Sequence, residues 1–174
     1  MSNARLLEKV EVTSSVNSVN LLGFTEEYDK YIVTLKNIET SSATYIHGRV
    51  IDFADRSIPN GEYDYGTGYA PSSGTAWTFE GNTDAVEWES LGFQGSGSDY
   101  HGSITMQVFN PASSTSYTSY LSQCVGFRNS NVIYGWNSMG NFEALDPIKG
   151  IEFFPRAGTI DNAIIHMYGL RTGS

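Results

Sequence analysis

Hydrophobic and polar residues alternate along most of this chain with the two-residue period of a β-strand. Tyr31, Val33 and Leu35 interleave with Ile32, Thr34 and Lys36. Ile104, Met106 and Val108 interleave with Thr105, Gln107 and Phe109. Successive side chains of a strand point to opposite faces, so this spacing predicts strands with one buried face. Residues 45–52, 62–65, 120–127, 131–136, 150–154 and 163–170 read the same way, being rich in β-branched and aromatic residues. Trp77 with Phe79, and Val86 with Trp88, are shorter alternating pairs. Asn60-Gly61 marks a tight turn, because both residues tolerate positive φ.

The count comes to about nine or ten short strands separated by Gly, Ser, Asn and Pro clusters, which predicts an all-β antiparallel sandwich or barrel. Helical periodicity is nearly absent. Only Ala4 to Val10 could be helical, with Leu6, Leu7 and Val10 on one face, and that stretch is too short to stand alone. Residues 1–20 are expected to form an N-terminal arm and first strand, and residues 21–174 one sandwich domain. Ile151, Phe153 and Phe154, and likewise Ile164, Ile165 and Met167, put apolar groups on both faces of their strands. Such strands belong in a sheet centre or under another subunit. Residues 66–74, 94–102 and 110–119 read as exposed loops carrying Tyr69, Tyr100 and Tyr117.

Composition narrows the function classes. Charged residues are 17%, against roughly 25% in an average soluble domain. In their place stand 18 Gly and 11 Tyr among many serines. Aromatics at 13% argue against disorder. A net charge of −9 without a basic cluster argues against a nucleic-acid partner. No apolar stretch has the length of a membrane helix, and the N-terminus lacks a signal-peptide pattern, so neither membrane insertion nor ordinary secretion is expected.

Candidate chemistry is sparse. Glu87 and Glu89 flank Trp88 and would share a strand face about 7 Å apart, a spacing within reach of glycoside hydrolysis, although neighbours on one strand usually form a solvent face. Glu26, Glu27 and Asp29 read as a solvated acidic loop. His47, His101 and His166 are too dispersed for a local metal site. Asp52 and Asp55 could hold calcium, but not with EF-hand spacing. The lone Cys124 sits in an apolar run and reads as a small buried hydrophobe. Gly95-Ser96-Gly97-Ser98 lacks the elbow of a serine hydrolase, and no phosphate loop occurs. No catalytic residue, cofactor or metal ligand is therefore expected. What remains is aromatic surface, since Tyr in Gly/Ser loops makes adaptable contacts. Tyr69, Tyr100, Tyr117 and Trp88 are the candidate contacts, and the Leu6-Leu7 pair the candidate docking point.

Three stretches carry a family resemblance. They are GIEFFPRAGTIDNAIIHMYGLRTGS (150–174), EEYDKYIVTLKNIETSSATYIHGRV (26–50) and MQVFNP (106–111). The first joins a Gly-Ile-x-Phe strand, a turn at Gly158 and an apolar strand closing on Tyr168-Gly169-Leu170. The second opens on a Tyr-Asp-x-Tyr start, and the third ends a strand in Asn-Pro. Together they resemble small virion proteins of bacteriophages, especially marine and cyanobacterial phages, with Ala163 standing where that pattern often has Gly. The resemblance implies a jelly-roll-like sandwich, commonly trimeric, assembled into the virion in the host cytoplasm. Its partners would be copies of itself and a major capsid or tail protein. The expected role is a non-enzymatic capsid decoration protein. A tail-fibre or receptor-binding head, with a host-surface glycan as ligand, is the alternative, and a carbohydrate-binding module a third.

Overall fold

The computed structural model describes residues 4–74, 76–96, 100–128 and 132–171. They form twelve strands and no helix: β1 (Ala4–Val12), β2 (Val19–Leu22), β3 (Lys30–Thr40), β4 (Thr44–Ile51), β5 (Tyr63–Pro71), β6 (Thr78–Ala85), β7 (Trp88–Gln94), β8 (Gly102–Phe109), β9 (Thr118–Arg128), β10 (Val132–Phe142), β11 (Gly150–Pro155) and β12 (Ile160–Leu170). One sheet has the order β1-β12-β3-β8-β9-β10-β5-β6, the other β2-β11-β4-β7. The ladders between named strands are antiparallel.

The expected sandwich is thus present. Its jelly-roll core is β1-β12-β3-β8 packed on β2-β11-β4-β7, each sheet interleaving early and late strands of the chain. Two hairpins are added to that core. The β9–β10 hairpin pairs with β8, and the β5–β6 hairpin pairs with β10, so the larger sheet is twice as wide as the smaller.

The alternating pattern dictates the core. Tyr31, Val33 and Leu35 of β3 are at most 1% exposed, as are Ile104, Met106 and Val108 of β8. They face Ile46, Val50, Leu91 and Ile151 of the smaller sheet within one continuous cluster. Burying such side chains stabilises the fold by about 1.5–3 kcal/mol each. Polar atoms carried inward find partners. The Tyr31 hydroxyl donates to the Thr25 carbonyl at 2.7 Å, and the Tyr63 hydroxyl donates to the Ile58 carbonyl at 2.6 Å.

Three expectations are corrected. Residues 4–10 are strand, not helix, and belong to the first strand, β1. They pair along their length with β12, with a bulge between Leu6 and Glu8. Glu8 then turns inward, and its carboxylate accepts the Leu22 amide at 2.7 Å, tying β1 to β2. Second, Tyr69 lies within strand β5, not in a loop. Third, β10 runs on past Trp136 to Phe142, because β9 and β5 pair with it over that whole length.

Candidate binding face

The two added hairpins create an outer surface that the jelly-roll core lacks. On β8, β9, β10 and β5 the register assigns alternate residues to that face, and among the described side chains Asp64 is the one charged group there. The other end of the same sheet differs. There β1 and β3 present Lys9, Glu11, Lys30 and Lys36. An acidic chain therefore keeps most charge off one half of its broad sheet, Asp64 being the exception.

This sparsely charged half holds two shallow depressions, of about 480 and 420 Å³. The first is lined by Ser103, Thr105, Gln123, Val125, Gly135 and Asn137. Across its floor Gln123 Nε2 donates to Asn137 Oδ1 at 3.2 Å. The second adjoins it over Asp64, Gly66, Ser119, Met139 and Asn141, with the Asp64 carboxylate at its β5 side. At the sheet edge Phe79 faces Gly68, so closely that a β-carbon there would meet the ring at 2.9 Å. Trp77 stacks beside Phe79 with 6.3 Å between centroids and 19° between planes. The two rings are 51% and 77% exposed, and Val125, Ile133 and Met139 on the same face are also exposed.

The residues singled out from sequence fall elsewhere. Trp88 is 0% exposed and cannot touch a ligand. Its ring packs on Tyr63 and Tyr120, and its Nε1 donates to the Asn141 carbonyl at 2.8 Å. Tyr69 is half-buried, stacked on Trp136 at 4.0 Å and 2°, and its hydroxyl donates to Glu80 at 3.2 Å. Tyr117 is exposed but precedes β9 at the opposite end, about 20 Å along the strand from the level of Tyr69. Tyr100 is half-buried beside Gly95. The three tyrosines do not converge on one apical site. Leu7 is half-buried against the core, and Leu6 is half exposed on the end strand β1.

Titratable groups are engaged structurally. Glu87 contacts His47 Nδ1 at 2.6 Å and also pairs with Arg49, whose guanidinium lies 4.5 Å from the Phe154 ring. Burial pushes the Glu87 carboxyl up, but the hydrogen bonds and charges of His47 and Arg49 outweigh it and hold the group below its ordinary value. Glu89 instead bonds Tyr65, so the two carboxylates serve different partners. Asp52 accepts from Ala54 and Arg56, while Asp55 pairs with Lys149. His101 pairs with Glu39 at 3.4 Å. Among the described residues, no three of His, Cys, Asp and Glu gather as a metal site would require. Gly97 and Ser98 of the glycine–serine run lie outside the described residues.

Sequence reasoning missed Trp77 and Phe79 as surface groups. Their signal is relational: Gly66 and Gly68 on the facing strand leave the floor beneath them without side chains. Comparison with family models, with curated proteins and with solved structures gave no match.

Proposed function

We propose that this chain is a non-enzymatic structural protein of a bacteriophage particle, a decoration protein that binds neighbouring virion subunits and works by adhesion. The observation that carries the reading is the distribution of exposed apolar groups. Trp77, Phe79, Val125, Ile133 and Met139 gather on one half of the larger sheet or its rim, while Leu6 stands at the opposite end on β1 and Phe53, Val86, Tyr117 and Leu145 lie in connections. Clustered exposed apolar surface is characteristic of interaction sites. Glu87 with His47 and Arg49, His101 with Glu39, and Asp55 with Lys149 are held in ion pairs.

Docking is assigned to the β1 end. An end strand offers an unpaired row of backbone donors and acceptors to a partner strand, and Leu6 adds an apolar contact beside it. The chain associates as a homotrimer in this reading, with the β6 half of the sheet turned outward. A second reading, a receptor-binding head on the tail, is favoured by the stacked and exposed Trp77–Phe79 pair.

Immunogold labelling of purified particles tests the assignment. Label on the head supports decoration, label on the tail supports the second reading, and particles without label overturn both. In light scattering the purified protein is expected as a trimer. Leu6→Glu should abolish attachment to particles and leave the far-ultraviolet spectrum unchanged.

A further inference from the structure

We infer that the sparsely charged half of the larger sheet is a groove for a neutral oligosaccharide, running across β8, β9, β10 and β5 to the Trp77–Phe79 pair at the β6 edge. This rests on that face being free in the adhesive reading above, and it names what the face holds.

The argument begins with charge. The chain has 19 acidic and 10 basic residues, yet among the described side chains only Asp64 is assigned by the register to the outer face of β8, β9, β10 and β5. Solvent alone does not call for that exclusion, because Lys and Glu are ordinary residues on an exposed strand face. A nucleic acid or a polyanionic sugar would call for cations, and the described side chains place none there. A neutral polar ligand fits a lining of amides, hydroxyls and apolar groups whose one carboxylate, Asp64, could accept a sugar hydroxyl.

The lining itself alternates hydrogen-bonding and stacking groups. Gln123 and Asn137 share one hydrogen bond, and each amide retains capacity for another. Ser103 and Thr105 add hydroxyls. Sugars present both hydroxyl rims and flat C–H faces, and Trp77 with Phe79 offers an aromatic platform for the latter. Glycine supplies the depth. A β-carbon at Gly66 or Gly135 would meet nothing within 4 Å, so the strands there are open to the outside. Glycine weakens a strand, so these positions are explained by the space they leave. Five strands span about 19 Å, the length of about four sugar rings.

The test uses the intact protein on an array of neutral and acidic oligosaccharides, followed by calorimetric titration of the best neutral tetrasaccharide found. Wild type is expected to bind neutral chains and not acidic ones. Trp77→Ala should weaken binding at least tenfold. Gly135→Val should fill the groove and do the same while keeping or raising the melting temperature. Tyr117→Ala, an exposed aromatic away from the groove, should leave binding unchanged. Absence of any neutral hit for wild type overturns the proposal, as does binding that survives both Trp77→Ala and Gly135→Val. Neither result moves the gold label on particles, so this inference and the virion reading fail separately.

Discussion

The ring of Tyr28 lies against Gly169, so close that a β-carbon on Gly169 would stand 2.6 Å from Cγ and Cδ1. Tyr28 opens the Tyr-Asp-x-Tyr stretch, and Gly169 sits in the closing Tyr-Gly-Leu. Asp29 in turn accepts the Asn110 amide at 3.2 Å, which brings in the Asn-Pro pair. Three separated stretches of the chain thus meet at one end of the sandwich. Their spacing follows from packing. Gly169→Ala must displace a rigid ring, and overpacking of this kind costs about 1–3 kcal/mol. Urea denaturation of the variant should show the loss, with an unchanged slope.

Trp88 and Trp77 should separate cleanly. Trp88 is fully buried and hydrogen-bonded, so Trp88→Ala should cost about 3–5 kcal/mol. Trp77 is half exposed, so Trp77→Ala should stay within about 0.5 kcal/mol of wild type. Iodide should quench the fluorescence of Trp77 and not that of Trp88.

Glu87 makes stability depend on acid. Its carboxyl is held below its ordinary value of 4.5 in the folded protein: burial raises it, and the bonds to His47 and Arg49 overcome that. Its contribution is therefore fully present above the ordinary value and is lost as pH falls through the lowered one. Glu87→Gln should cost about 1–3 kcal/mol at pH 7, since His47 and Arg49 lose a charged acceptor. The penalty should shrink below pH 4, which thermal melts from pH 7 to pH 3 would check.

Cys124 should be inert until the protein unfolds. Burial pushes its thiol up to about 12, and the hydrogen bonds from Phe93 and Gln94 offset only part of that. At pH 8 it should not react with a disulfide reagent such as Ellman's over minutes. In 6 M guanidinium one thiol per chain should react at once.

The sandwich was legible because alternation survives where strands are regular, as at Tyr31, Val33 and Leu35. It was illegible in β1, where the bulge between Leu6 and Glu8 breaks the period and imitates a helical face. It also failed past Trp136, where Asn137, Ser138 and Gly140 look like loop residues. Ser138 is buried there and bonds the Tyr120 hydroxyl at 2.8 Å. The binding face lay beyond sequence reasoning for a different reason. Three tryptophans in short alternating runs look alike, and only register reveals that Trp77 stands over Gly68 while Trp88 faces the opposite sheet.

The central claim, that this sandwich is a built-in part of a phage particle, is tested most directly by quantitative peptide mass spectrometry of gradient-purified particles. The expected result is a fixed copy ratio to the major capsid protein that persists through repeated banding. Loss of the chain into the soluble fraction, with none left in the particle band, would contradict it.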